Sequence, residues 1–241
     1  MSTLSRAVGR VALGALLLLG ARDGAAQVSV TTPLLEGLGT HVCRAANPAT
    51  PVMNLAVTLN LRGGGGQILA TSGLIPLAPG QSAETTFDST GSDGTLYCEA
   101  VANTNTEADH LRVDDIFRDS NGDALAAVRG SRTGSGSIPL ASPGLSADTN
   151  SRLTCAAVNT DSTAQTVTFN LIDDSGTVTN RSTQSIPANG FGGFSTFSPG
   201  ASRRCEVVAA SSGKANKLRA DLYVASPFNT TTQTFGVVTA D

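Results

Sequence analysis

The chain has 241 residues, with 16 Lys and Arg against 19 Asp and Glu, and only 10 aromatic residues, none of them Trp. Its formal net charge of −3 leaves no basic field to attract a phosphate backbone, and Lys214 and Lys217 are its only lysines. Nucleic-acid binding is therefore disfavoured, as is a stacking platform for bases or sugars, which would call for more rings.

Residues 1–26 read as a signal peptide. Arg6 and Arg10 supply a positive start, Val11 to Leu19 form an apolar run too short to span a bilayer, and Gly24, Ala25 and Ala26 suit cleavage after Ala26. No second apolar stretch reaches spanning length. The mature chain is expected to be exported, secreted or periplasmic, with no membrane insertion. It would carry 13 basic and 18 acidic residues, a net charge of −5.

Beyond the leader, short runs of Val, Thr, Leu and Ala alternate between breaks of Gly, Pro, Asn, Asp and Ser. That pattern predicts strands near 28–34, 40–46, 53–61, 67–75, 82–88, 95–102, 109–117 and 123–129. Small polar residues over 132–137 suit a linker. From 138 the pattern returns.

The return is a duplication. Cys43-x-x-x-Asn47 matches Cys155-x-x-x-Asn159. The alternating Leu55, Val57, Leu59 and Leu61 match Val167, Phe169 and Leu171. A glycine turn at Gly63 to Gly66 matches one at Asp173 to Gly176. Then Cys98-Glu99 matches Cys205-Glu206, and Leu111-Arg112 matches Leu218-Arg219. Order and spacing are kept apart from small gaps in turns. Four cysteines allow three connectivities. The repeat selects Cys43–Cys98 and Cys155–Cys205, one bridge in each copy.

Seven or eight short strands in about 100 residues indicate a β-sandwich. The layout resembles bacterial immunoglobulin-like modules at the level of fold, with no specific family implied, and it departs from antibody-type domains in lacking a Trp on the third strand. The expected architecture is all-β: two tandem immunoglobulin-like β-sandwich domains over 27–131 and 138–241, each with one internal disulfide, after a cleaved signal peptide. With Asn103 to Ala108 read as a hairpin loop, Glu99 faces Arg112 and Glu206 faces Arg219. These are structural ion pairs that fix register. Asp115 matches the apolar Leu222, which suggests a bulge there.

No catalytic constellation stands out. His41 and His110 are the only histidines, and neither is shared between the copies, whose matching residues are Leu153 and Lys217. No Gly-x-Ser-x-Gly elbow occurs, and no histidine has a further ligand at zinc spacing. Asp119, Asn121 and Asp123 form the weak metal candidate. Their spacing around Gly122 resembles part of a calcium loop, but Asn-Gly between apolar runs is also a hairpin turn. Gly63 to Gly66 lack the Lys-Ser/Thr of a phosphate loop and read as a flexible turn. Asn180 and Asn229 head sequons that matter only where the source glycosylates them.

The expected function is that of an exported, non-enzymatic structural or adhesion-like interaction protein with no cofactor. Its partner would be another protein or a cell surface. Two alternatives remain open: a small-ligand or calcium-binding module using the Asp119–Asp123 turn, and a self-associating fibre subunit that donates the N-terminal strand beginning at Gln27.

Overall fold

A computed structural model describes residues 27–48, 50, 52–89, 94–118, 121–122, 124–130, 139–142, 145, 151–197, 200–225 and 236–239. The expected signal peptide and the 132–137 linker lie outside the described residues.

Copy one runs β1 (Val28–Thr31), β2 (Leu35–Glu36), β3 (Thr40–Ala46), β4 (Leu55–Arg62), β5 (Ile68–Leu77), β6 (Ser82–Asp88), β7 (Thr95–Ala102), α1 (Asn105–His110), β8 (Arg112–Arg118) and β9 (Ala124–Arg129). Copy two runs β10 (Leu140–Ala141), β11 (Arg152–Asn159), β12 (Gln165–Asp173), β13 (Val178–Ile186), β14 (Phe191–Phe197), β15 (Arg203–Val208), α2 (Ser212–Ala215), β16 (Leu218–Ala225) and β17 (Gly236–Thr239).

In copy one, β1-β7-β4-β5, with β2 also on β7, form one sheet, and β6-β3-β8-β9 form the other. Copy two repeats this with β10-β15-β12-β13 and β14-β11-β16-β17. All pairings are antiparallel. The alternating residues of β4 and β12 point inward: Leu55, Val57, Leu59 and Leu61 are buried, as are Val167, Phe169 and Leu171. Each copy has its own apolar core, and each core contains the copy's two cysteines.

The disulfides are Cys43–Cys98 and Cys155–Cys205. Each ties β3 to β7, or β11 to β15, and so pins one sheet to the other. The repeated asparagine secures the loop that follows the first cysteine strand. Asn47 donates to the carbonyls of Met53 and Leu77, at 2.8 and 2.9 Å. Asn159 donates to Thr163 and Pro187, both at 2.9 Å, and accepts from Gln165. A further repeated bond precedes β3 and β11. The Thr32 hydroxyl accepts the Cys98 amide, and the Ser142 hydroxyl accepts the Cys205 amide, each at 2.9 Å.

Two expectations change. The segment Asn103 to Ala108 is not a hairpin loop. Thr104 caps α1 in a capping box with Glu107, and the helix carries the chain from one sheet to the other. As a result β8 pairs with β3, not β7. In an immunoglobulin sandwich the strands on either side of this connection share a sheet, so the pairing order here differs from that fold. No bulge sits at Asp115, because the β3–β8 register is continuous from Thr40↔Arg118 to Ala46↔Arg112.

The bridges close loops of 55 and 50 residues, and a loop of that size contributes about 4 kcal/mol in the chain-entropy model. Replacing Cys155 and Cys205 by Ala should lower the unfolding free energy of copy two by about 4 kcal/mol in denaturant titration. A change below about 1 kcal/mol would show that the bridge is not what holds its two sheets together.

Candidate functional site

The best-built site among the described residues is the seam where copy two docks on copy one. It begins with the glycine run. After β4 the chain turns through Gly63 to Gly66, with the Gly66 amide donating to Gly63 and Gly66 at φ +81°. Arg62 holds this turn, donating to the Gly66 carbonyl at 2.6 Å. Glu99 in turn holds Arg62 at 2.7 Å and also accepts from Asn60 and Ser29. The turn is therefore braced rather than loose.

The chain entering β14 lies against it. The Phe191 amide donates to the Gly64 carbonyl at 3.2 Å. A Cβ on Gly64 would sit 2.8 Å from the Phe191 ring, and one on Gly66 would sit 2.8 Å from the Ala188 carbonyl. The approach requires a bare turn. The Tyr97 hydroxyl donates to the Asn189 carbonyl, and burial pushes the phenol pKa well up, which keeps it a donor. Leu34, Tyr97, Ala156 and Val158 form a buried apolar cluster, with Phe191 packed against it. Arg152 of copy two meets Glu36 of copy one at 3.5 Å at the rim. Beside this lies a cleft of about 160 Å³, lined by Glu36, Thr95, Arg152, Thr154, Gly193 and Ser195 among others. Within it the Thr154 and Ser195 hydroxyls bond each other at 2.8 Å.

The expected ion pairs do not form as drawn. With β7 and β8 in different sheets, Glu99 is paired with Arg62, and Arg112 donates to the carbonyls of Asp109 and Leu111 at the end of α1. In copy two Glu206 meets Arg204 at 3.2 Å. Arg219 donates to Asn216 and Leu218, repeating the role of Arg112, and burial lowers its pKa to about 10. Asp119 and Asp123 of the metal candidate lie outside the described residues, and Asn121 stands in a turn. Among the described residues no group of three His, Cys, Asp or Glu is placed to hold a metal. His110 ends α1.

His41 is a buried site that alternation alone did not reveal. Its Nδ1 lies 3.7 Å from Asp115 Oδ1, both side chains are fully buried, and its Nε2 lies 3.2 Å from the Gly37 carbonyl. The Ser89 hydroxyl bonds that same carbonyl at 2.7 Å, so the serine and the imidazole share a backbone acceptor and do not form a nucleophile–base pair. In copy two the matching residues are Leu153 and Leu222, both fully buried. An ionisable pair thus stands where the other copy has two leucines. Burial pulls the His41 pKa down, but Asp115 and the carbonyls of Gly37 and Gly94 outweigh it, and the net shift is upward. Burial raises Asp115 more than His41 lowers it.

A third buried ionisable group belongs to the seam. Asp221 stands opposite Ala156 on the face that copy one covers. Neither of its oxygens has a hydrogen-bond partner among the described residues, and burial holds its pKa well above the carboxylate range.

No protein-family model matches the chain, and no curated protein matches it in sequence. Among solved structures it is similar to the M60 catalytic domain with the CBM51-1 and CBM51-2 domains of Clostridium perfringens ZmpB. The identity is 9% and the TM-score 0.24, over 90% of this chain and 34% of that one. A β-glucuronidase of glycoside hydrolase family 2 gives 9% and 0.17, over 88% and 24%. Bacteroides uniformis β-glucuronidase gives 9% and 0.19, over 88% and 26%. The chain spans a quarter to a third of those structures, and overlaps this slight carry no argument about activity.

The buried acids and His41 set a pH dependence. Unfolded carboxyls titrate near pH 4 and histidine near 6.5. All three folded values are raised, so the folded chain holds more protons across that range. Their stabilisation is complete at about pH 4 and below, and is lost as pH rises through the folded values. Replacing His41 and Asp115 by Leu together should flatten the fall in unfolding free energy between about pH 4 and 8. The same change should leave copy one at least as stable at neutral pH. An unchanged slope in denaturant titrations across that range would contradict the assignment.

Proposed function

We propose that this chain is an exported, non-enzymatic interaction protein whose two β-sandwich copies act as one rigid body. The observation that carries the reading is the seam, where a braced glycine turn, a backbone hydrogen bond and a buried apolar cluster join the copies. Such a contact fixes the relative placement of two binding surfaces, which benefits a scaffold or adhesin by lowering the ordering cost of engaging a partner at two points. The two disulfides suit an oxidising compartment outside the cytoplasm. Two antiparallel sheets bridged by one disulfide in each copy support reading the copies as immunoglobulin-like modules with their own pairing order. Long hairpins, β4–β5 and β12–β13, offer exposed outer strands to a partner, with Leu74 67% and Ile68 49% exposed on β5.

The fibre reading would need Val28 to Thr31 to leave its own copy, where it is already paired against Glu99 to Ala102 of β7. No observation favours the calcium reading.

The exported chain, with both disulfides closed, should bind cell-envelope material from its source saturably and turn over no chromogenic ester, glycoside or glucuronide. Opening the seam with Gly64→Asp should weaken that binding at least tenfold while both disulfides remain closed. Turnover of any of these substrates would overturn the proposal, and so would binding that ignores the state of the seam.

A further inference from the structure

The seam joins unlike surfaces. Copy two presents the outer face of β11 and β14, while copy one presents its glycine turn and the buried Tyr97. A contact between unlike surfaces of two similar units is head-to-tail, and unless something stops it the same step can be repeated without end. It leaves one presenting face over, on copy one, and one receiving site over, on copy two. The sequence at those two leftover surfaces differs from the seam in one consistent direction.

On the presenting face, the cross-strand pairs of the seam are Ala156↔Gly193 and Val158↔Phe191. Their counterparts in copy one are Arg44↔Glu84 and Ala46↔Ser82. Arg44 and Glu84 form an ion pair at 3.4 Å with side chains 43% and 41% exposed, and Asp114, the counterpart of the buried Asp221, is paired with Arg129 at 3.2 Å. At the receiving site, the turns of the two copies carry the same hydrogen bonds, from Gly66 to Gly63 and from Gly176 to Asp173. Asp173, Asp174 and Ser175 therefore replace Gly63, Gly64 and Gly65. Arg204 replaces Tyr97, each directly before the second cysteine. In copy one this site is filled by the Phe191 segment. Among the described residues it stands open in copy two, as a cleft of about 410 Å³ lined by Ile172, Asp173, Asp174, Ser175, Gly176 and Arg204. The Asp174 side chain occupies the place where the seam needs the bare backbone of Gly64. Docking a further copy would also bury the Arg44–Glu84 pair, which costs more than its attraction returns.

We propose that the seam is one step of an open-ended head-to-tail stack, and that these polar residues cap both ends so that the stack stops at two copies. The partner that fits either surface, once uncapped, is a second copy of this chain. Terminal units of repeat arrays are capped by polar outer faces for the same physical reason.

Two variants test this by sedimentation. One opens the presenting face with Arg44→Ala, Ala46→Val, Ser82→Phe and Glu84→Gly. The other opens the receiving site with Asp173→Gly, Asp174→Gly, Ser175→Gly and Arg204→Tyr. The unchanged chain and each variant alone should sediment at the mass of one chain. An equal mixture of the two variants should sediment at twice that mass, and a chain with all eight changes should form a concentration-dependent series. If a fourfold variant fails to fold, the mixture is repeated with Ser82→Phe/Glu84→Gly and Asp174→Gly/Arg204→Tyr. The proposal is overturned if the unchanged chain itself associates, or if mixed variants with closed disulfides remain single chains.

Discussion

The close approach of two backbones at Gly64 governs how this molecule is put together. The Gly64 carbonyl accepts the Phe191 amide, and the Phe191 ring lies where a Cβ on residue 64 would be. A side chain there would clash with the Phe191 ring, which would have to move. Several other features follow from that contact. Tyr97 is 1% exposed because copy two covers it, and it is satisfied because the Asn189 carbonyl is within reach of its hydroxyl. Asp221 is buried because the face it shares with Ala156 is the covered one. Glu99 and Arg62 brace the turn itself, which gives the repeated Cys-Glu motif a role in copy one that Glu206 does not reproduce in copy two.

Much of the fold was legible in the sequence because the relevant forces are local or repeated. Alternation in β4 and β12 shows which side chains face inward, since successive residues of a strand point to opposite faces. The duplication pairs the cysteines without geometry. What stayed hidden was the choice of strand partner across a connection. Glu99 and Arg112 looked like neighbours on a hairpin because the intervening residues looked like a loop. Thr104 and Glu107 carry the capping-box spacing that marks a helix start. A helix there sends the chain to the other sheet and separates the two charges. The glycine run was misread for a similar reason. Four glycines in a hairpin suggest flexibility, but here the bare Gly64 and Gly66 serve a contact with residues more than 120 positions away, which no local pattern reveals.

Divergence between the copies carries the rest of the account. Duplicated units begin with the same core and the same surface, so each difference marks a change in circumstance. In the core, His41 and Asp115 stand where Leu153 and Leu222 stand, and the two changes belong together because either charge alone would be buried without its counterpart. On the surface, Ala156 and Gly193 stand where Arg44 and Glu84 stand, because one face is covered and the other is wet. The same logic separates Gly64 from Asp174. Residues shared by both copies serve the sandwich: the bridges, the pinned asparagines and the hydroxyls of Thr32 and Ser142. The surface residues that differ at Arg44, Glu84 and Asp174 serve the joining of the copies and the ending of the join.

The central claim is that the two copies move as one body, and backbone amide relaxation by nuclear magnetic resonance tests it most directly. If the seam holds, amides of β3 to β8 and of β11 to β16 report one common tumbling time, that of the whole chain. Two shorter and separate tumbling times, one for each copy, would contradict it.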